Sequence, residues 1–392
     1  MLRPYQKRAS DAAVRAFSDG TRNGLLIIPT GGGKTHVIAD VAMRLDSPLL
    51  VFAPNQEILK QDYEKVCETG MFDVGIYSAS VNRKNIRRIT LATIGSVYNH
   101  MEDFGLFRYV MVDEAHLVGS KSGMYKEFIE KRPDRCVVGL TATPYRLETA
   151  WGGGSMLKFL TRTRPRVFDK VIHVTQTSDL LNHGYICPIQ YFNVGEYISF
   201  DLGRVKVNST GADYDEDSLK LEYERSGFAA DLENWTLRAL HPKDGTKRNG
   251  VLVFTKFVRE SQYLVERLRS KGIVASIVSG ETPKSERNAI ISGFKEGKIQ
   301  VVSNVGVLTI GFDFPALDTI IIARPTRSLA LYYQMIGRCV RNYEGKKAWC
   351  IDLCSNYKRF GGFEDLKIEC PLGSSRWVVT SNGRQLTGVT IT

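Results

Sequence analysis

Short apolar runs alternate along the chain with stretches of helix-like spacing. Gly24-Leu-Leu-Ile-Ile28, Pro48-Leu-Leu-Val-Phe-Ala53, Ile89-Thr-Leu-Ala-Thr93, Tyr109-Val-Met-Val-Asp113 and Cys136-Val-Val-Gly-Leu140 each read as a buried strand. A polar or potentially catalytic residue stands at or just beyond the C-terminal end of each. Amphipathic stretches lie between them, such as Thr35 to Leu45 and Gln56 to Glu68. This βα alternation predicts a mostly parallel sheet covered on both faces. The pattern restarts at Gly250-Val-Leu-Val-Phe254 and continues through Val274-Ala-Ser-Ile-Val278, Ile299-Gln-Val-Val-Ser303, Thr319-Ile-Ile-Ile-Ala323 and Ala348-Trp-Cys-Ile-Asp352. The expected division is one α/β domain over 1–187 and a second over 247–370, joined by a connecting segment 188–246 and followed by a short tail, 371–392. Within the connection, Asp213-Tyr-Asp-Glu-Asp217 reads as the solvated start of a helix running towards Leu240, where carboxylates suit the helix dipole. Trp151-Gly-Gly-Gly-Ser155 reads as a mobile loop.

Two domains also suit a length of 392 residues. Apolar residues make up 43%, which excludes disorder. The formal net charge of +11 favours polyanionic partners. Seven scattered cysteines suit reduced core thiols, and Cys350 and Cys354 lack a second ligand pair for zinc. The start lacks the apolar core of a signal peptide and no apolar run reaches membrane length, so a soluble cytoplasmic protein, without a membrane partner, is expected.

The chemistry concentrates in three places. Pro29-Thr30-Gly31-Gly32-Gly33-Lys34-Thr35 follows a strand and opens a helix, the context of a Walker A loop. Glycines let backbone N–H groups curl round phosphate oxygens, and the helix N-terminus adds its dipole. Lys34 would reach the β- and γ-phosphates of ATP, and Thr35 would ligate Mg²⁺. Ile28 stands where the common pattern has a small residue. Next, Val110-Met-Val-Asp113-Glu114-Ala115-His116 is a strand ending in two carboxylates. Asp113 suits Mg²⁺, and Glu114 is placed to orient and deprotonate a water. Third, Gln334, Arg338 and Arg341 recur at offsets of four and three, so they share one face of a predicted helix. Such arginines are ordinary surface or, in a two-domain ATPase, fingers that stabilise transition-state charge from the second domain.

With these residues in view, the chain resembles the superfamily 2 helicases over nearly its whole length. Arg3-Pro-Tyr-Gln6 resembles the family's opening motif, whose glutamine reads adenine. Lys34-Thr35 resembles motif I, Asp113-Glu-Ala-His116 motif II, and Thr141-Ala-Thr143-Pro motif III, which couples nucleotide to nucleic acid. Val253-Phe-Thr255, Thr309-Ile-Gly311-Phe-Asp313-Phe-Pro315 and Gln334 to Arg341 resemble motifs IV, V and VI. The resemblance implies two tandem RecA-like domains with an ATP cleft between them, and a site in which Gly311 and Asp313 join the nucleotide residues and His116, Thr141 and Thr143 couple. Leu140-Thr-Ala-Thr-Pro-Tyr-Arg-Leu147, Asn304-Val-Gly-Val-Leu-Thr-Ile-Gly-Phe-Asp313 and Arg324-Pro-Thr-Arg-Ser328 are most similar to the bacterial and phage RadD-like group, related to XPB and UvsW. After Asp352 the cysteine-rich, zinc-binding extension of that group has no counterpart. DEAD-box RNA helicases end motif II in Asp and carry Thr-Asp in motif V; His116 and Val305-Gly306 depart from both, which favours DNA and leaves RNA open. Asn55, Thr93 and Thr255, each after a strand, are candidate contacts to the nucleic-acid backbone; the alternative for each is a loop cap. The clusters Arg83-Lys84-Arg87-Arg88 and Arg162-Arg164-Arg166 are solvated faces or duplex contacts.

The implied activity is an ATP-dependent DNA helicase or translocase in repair, recombination or replication, working as a monomer in a bacterial or phage-infected cell. An ATP-regulated DNA clamp or annealing factor, the motor of a restriction-like complex, and an RNA helicase are the alternatives.

Overall fold

The computed structural model describes residues 2–149, 155–309 and 311–391. The chain forms two compact units. The first comprises 1–146, 158–179 and 368–379; the second comprises 147–157, 180–367 and 380–392. Trp151 to Gly154, the core of the expected mobile loop, lie outside the described residues, as does Ile310 of motif V.

The first unit is built on β1 (Asn23–Ile27), β2 (Leu49–Phe52), β3 (Val74–Ser78), β4 (Arg83–Lys84), β5 (Ile89–Ala92), β6 (Tyr109–Val112) and β7 (Cys136–Thr141). After β8 (Tyr145–Thr149) and β9 (Ser155–Phe159), β10 (Lys170–Val174) completes its sheet. The order is β10-β1-β7-β6-β2-β5-β3-β4, parallel throughout except for β4, a short exposed antiparallel edge. A charged edge strand of this kind blunts pairing with other chains. Helices α1 (Pro4–Ser18), α2 (Lys34–Arg44), α3 (Gln56–Cys67), α4 (Ile94–Tyr98) and α5 (Met124–Glu130) complete the crossovers. The central strands β1, β2, β5, β6 and β7 are buried almost to the last residue, which is why they read as continuous apolar runs. This order has a chemical consequence. β1 neighbours β7, and β7 neighbours β6, so the loops after Ile27, Thr141 and Val112 emerge side by side at the C-terminal edge of the sheet.

After α6 (Thr177–Asn182), the second sheet runs in the order β11-β16-β15-β12-β14-β13. These strands are β11 (Ile189–Asn193), β12 (Val251–Thr255), β13 (Ala275–Val278), β14 (Val301–Asn304), β15 (Thr319–Ala323) and β16 (Ala348–Asp352), all parallel. The helices are α7 (Glu216–Ser226), α8 (Phe228–Leu240), α9 (Val258–Ser270), α10 (Lys284–Lys295), α11 (Leu329–Ile336) and α12 (Asn356–Phe360). All ten strands expected from apolar runs are present; β3, β4, β8, β9, β10 and β11 lie outside those runs.

The segment 188–246 differs from expectation. It is no free connection: β11 pairs with β16, and Leu219, Tyr223, Phe228 and Leu232 lie in one core with Val251, Val253, Leu264 and Ile321. The expected helix towards Leu240 is two helices, because Gly227 takes φ 68° between α7 and α8. That break stacks Tyr223 on Phe228 with ring centroids 4.1 Å apart, and the Tyr223 hydroxyl donates to the Ala323 carbonyl at the end of β15. The acidic run behaves as a helix start at Asp215, which caps α7 by accepting from the Ser218 N–H, while Asp213 pairs with Lys256.

Gly139, inside β7, lets the strand approach the loop after β6. A Cβ there would stand 2.6 Å from the Phe168 ring and 2.7 Å from the Ala115 methyl. Gly139→Ala should therefore lower unfolding stability by about 1–3 kcal/mol, measured by urea denaturation; an unchanged midpoint would show that the layer can relax.

Candidate active site

The glycine loop takes its shape from backbone conformations open to glycine. Gly31 and Gly33 have φ 80° and 73°, and Gly33 caps α2 in the left-handed region. A Cβ on Gly33 would come within 2.5 Å of the Gln6 amide. The loop is anchored from both sides. Gly32 N–H donates to the Pro29 carbonyl, and the Gly32 carbonyl accepts from the Tyr5 hydroxyl at 2.8 Å and from Gln6 Nε2 at 3.1 Å. Gln6 Oε1 accepts from the Arg3 N–H. The opening motif thus braces the phosphate loop. Thr30 is buried in the same loop.

Lys34, first residue of α2, places its ammonium 3.0 Å from Glu114 Oε1. The other Glu114 oxygen lies 3.2 Å from His116 Nδ1. That nitrogen lies 3.0 Å from the Thr141 hydroxyl and 3.1 Å from the Thr143 hydroxyl, and Thr143 N–H donates to Thr141 Oγ1. A carboxylate only accepts, so the Glu114 contact is a hydrogen bond when Nδ1 carries the hydrogen. One unbroken polar chain therefore joins Lys34, Glu114, His116, Thr141 and Thr143. Glu114 reaches this position with φ 49° and ψ 51°, a left-handed conformation uncommon for a residue with a side chain.

The two adjacent carboxyls part company electrostatically. Burial pushes Asp113 up to about 6, against the pull of Lys34. Burial acts on Glu114 in the same direction, but Lys34 and His116 outweigh it and hold Glu114 well below the usual carboxylate range. Asp113 accepts the Glu114 N–H at 2.9 Å and is buried, where a neighbouring divalent cation would favour its ionised form. With the loop's cradle and the Thr35 hydroxyl on α2, these residues fit a Mg²⁺-bound nucleotide. One neighbour escaped the sequence reading. Asp62, on α3, is fully buried among these groups, and its only signal was an acid on an apolar helical stripe.

Of the expected nucleic-acid residues, Asn55 caps α3 by accepting from the Ile58 N–H, and the Thr93 hydroxyl lies 3.0 Å from both Ser78 and Ser96. Both follow strands at the same C-terminal edge as the glycine loop. Thr255 is different. It is 2% exposed, its hydroxyl 2.7 Å from Ser261, which in turn lies 2.7 Å from Ser303. This hydroxyl belongs to the core of the second unit, and Thr255 is the last residue of β12 and not a residue after it, so its expected position is corrected while its contact to nucleic acid stays an expectation.

The shared helical face of Gln334, Arg338 and Arg341 is also corrected. Helix α11 ends at Ile336, and the chain turns at Gly337 so that Cys339 and Val340 enter the core. Gln334 stays on the helix. Arg338 donates to the Phe312 carbonyl at 2.6 Å, in the turn. Arg341 pairs with Ile186 as an isolated bridge and forms an ion pair with Asp313, so motifs V and VI meet within this unit. Gly311 stands at φ 81° two residues before Asp313.

Residues 1–146 match the family described as Type III restriction enzyme, res subunit, and residues 234–343 match the Helicase conserved C-terminal domain. Among curated proteins, a 51.5 kDa protein of a Lactococcus phage is 25% identical over 336 residues, covering 85% of this chain and 66% of that one. The DNA 3'-5' translocase XPB2 of Sulfurisphaera tokodaii is 24% identical over 388 residues, 90% of this chain and 81% of its own. The chain spans only 50% of a Saccharomyces cerevisiae relative, IRC3, so it represents about half to two thirds of several such proteins. Among solved structures, the ATP-dependent Type ISP restriction-modification enzyme LlaBIII bound to DNA aligns with a TM-score of 0.65 at 16% identity, over 90% of this chain and 28% of that one. S. cerevisiae Dbp5 bound to RNA and ADP BeF3 aligns at 0.57 and 18%, over 87% and 84%. The fold is that of two RecA-like domains.

The raised Asp113 carries a signed consequence. Its folded-state value lies above that of an unfolded aspartate, so ionising it opposes folding as pH rises from about 4 to about 6. Asp113→Asn should stabilise the nucleotide-free, EDTA-treated protein by about 1–3 kcal/mol at pH 7.5, with the gain gone near pH 4. Urea denaturation at both pH values measures it; equal midpoints at pH 7.5 would refute the assignment.

Proposed function

We propose that the chain is a superfamily 2 helicase, a nucleic-acid-stimulated ATPase that moves on or remodels DNA. The observation that carries this reading is the chain from Lys34 through Glu114 and His116 to Thr141 and Thr143. It links a phosphate loop, a water-activating carboxylate and the following motif in one hydrogen-bonded relay, an arrangement a passive scaffold has no use for.

Lys34 and Glu114 neutralise one another across 3.0 Å. Phosphate arriving at the glycine loop competes for the Lys34 ammonium, which releases one Glu114 oxygen. Glu114, still tethered by His116, then orients a water and accepts its proton. Its depressed proton affinity in the resting pair rises as Lys34 turns to phosphate, which is the direction a general base needs. Thr35 and Asp113 would hold Mg²⁺, which would supply positive charge against the phosphates. The change at Glu114 alters what His116 can hold, and His116 passes it to the two threonines that follow β7. Arg338 and Arg341 supply positive charge during turnover; Arg341 first leaves Asp313.

A DNA substrate is supported by the XPB2 relative, a DNA translocase, and by LlaBIII, solved on DNA. Dbp5, solved on RNA, keeps the polymer open to test. The finer placement with the DEAH-motif, RadD-like and UvsW-related proteins rests on His116 and the phrases around motifs III, V and VI. A role in repair, recombination or replication and a monomeric, cytoplasmic state belong to the same reading. A second reading, the motor of a restriction-type assembly, is favoured by the family matched over residues 1–146 and by LlaBIII; copurification with a nuclease would support it.

Hydrolysis measured with single-stranded DNA, duplex, fork, Holliday junction and RNA should show DNA-stimulated turnover. Lys34→Ala should abolish it, and Glu114→Gln should slow it about 10²–10⁴-fold while nucleotide still binds. Stimulation by RNA alone would overturn the DNA assignment, and wild-type turnover in either variant would remove the proposed roles.

Arg338→Ala and Arg341→Ala should bind nucleotide almost normally yet hydrolyse it up to ~10³-fold more slowly. Filter binding alongside single-turnover hydrolysis separates the two effects; parallel loss of binding and rate would argue for a structural role.

A further inference from the structure

Three basic side chains converge on one short run of the second unit. Phe312-Asp313-Phe314-Pro315 follows Gly311, and Arg338, Arg341 and Lys346 each have a partner in it. Arg338 donates to the Phe312 carbonyl, Arg341 pairs with the Asp313 carboxylate, and the Lys346 ammonium donates to the Pro315 carbonyl at 2.9 Å. That ammonium makes a second bond, 2.8 Å long, to the carbonyl of Arg341 itself. Lys346 therefore bridges the main chains of the two segments that resemble motifs V and VI, and it belongs to neither motif.

The chain folds back to make this bridge. After Arg341 it runs through an exposed turn to Gly345, which takes φ 69°, and the Lys346 N–H closes the turn on the Tyr343 carbonyl at 3.2 Å. The same backbone is also held by the segment that precedes β11. The Cys187 N–H donates to the Val340 carbonyl at 2.7 Å, Ile186 bridges Arg341, and the Asn342 amide donates to the Gly184 carbonyl. A lysine suits the remaining place. Its ammonium is a compact charge with three donors, so one atom serves two carbonyls and each bond is charge-assisted. Drawing it out of water has a cost, since burial lowers the proton affinity of Lys346. A lysine present only for solubility would stay in water, as the exposed Lys347 does.

The three cations differ in what they can give up. Arg341 must leave Asp313 to supply charge during hydrolysis, and its departure removes a side-chain tie between the two segments. The Lys346 bridge runs through main-chain carbonyls and does not depend on that tie. We propose that Lys346 is a positioning residue for Arg341: it holds the Arg341 backbone against the Pro315 carbonyl while the guanidinium changes partners. The proposal rests on the reading of Arg341 as a source of positive charge in hydrolysis. It gives a part in turnover to a residue outside every motif, and that part falls on kcat and not on nucleotide affinity.

The test is a double-mutant cycle in the full chain, with Lys346→Met, Arg341→Ala and the two combined. Single-turnover hydrolysis is read at saturating ATP and single-stranded DNA, alongside nucleotide affinity and melting temperature. Lys346→Met keeps the length of the side chain without its charge. It should slow hydrolysis about 10–100-fold, the cost of a misplaced reacting group, with nucleotide affinity unchanged. In the Arg341→Ala background the same change should slow hydrolysis no further, since the group it positions is gone. A wild-type rate in Lys346→Met would overturn the proposal. So would an equal fold-loss in both backgrounds, which marks a contribution to folding independent of Arg341. Should Lys346→Met lose its cooperative melting transition, Lys346→Gln, which retains a donor, goes through the same cycle and is judged by the same two outcomes. A wild-type rate in Arg341→Ala would overturn the reading of Arg341, and the proposal with it.

Discussion

The ion pair between Lys34 and Glu114 is the contact on which the first unit's chemistry turns. Each group is a hazard alone: a largely enclosed ammonium at the end of the glycine loop, and a largely enclosed carboxylate beside another carboxyl. Paired, they neutralise one another. The pair exists because β7 alone separates β1 from β6, so that helix α2 and the turn after β6 start from nearby strand ends. It also accounts for the left-handed backbone at Glu114, which turns the side chain back across the sheet edge instead of letting it follow Asp113. Activation by phosphate is then an exchange of partners rather than the creation of a new charge.

Much of this arrangement was legible in the residues because it rests on local rules. Glycines ahead of Lys34, and acids at the end of an apolar run, have few structural uses together, and the fully buried parallel strands leave no polar alternation to confuse their reading. What was hidden depends on tertiary neighbours. The periodicity of Gln334, Arg338 and Arg341 matched a helix, but Cys339 and Val340 are needed inside the core, and the chain leaves α11 at Gly337 to bring them there. Thr255 reads as a residue after a strand, yet it ends β12, and Ser261 and Ser303 claim its hydroxyl. Asp62 was invisible because one acid on an amphipathic helix is unremarkable until every neighbour is known to be buried.

The second unit shows the same limit at a larger scale. Segment 188–246 is rich in charges and turns, and its one strand, β11, is not an uninterrupted apolar run. Its apolar residues are spaced for contacts with α9 and the sheet, which only the assembled core reveals. Gly227 is the residue on which this depends, since its left-handed turn lets Tyr223 and Phe228 stack and fixes α7 against α8.

Because β11, α7 and α8 are walls of the second core, the stretch between the two helicase segments has no slack. It cannot lengthen or shorten as a tether does, and a protease or a cloning boundary placed at residue 247 would strip β11 from the sheet edge and uncover Val251, Val253 and Ile321. Inherited variation in this region should accordingly be read as variation in a folded domain, where Tyr223 answers to Phe228 and both answer to the strand that ends at Ala323.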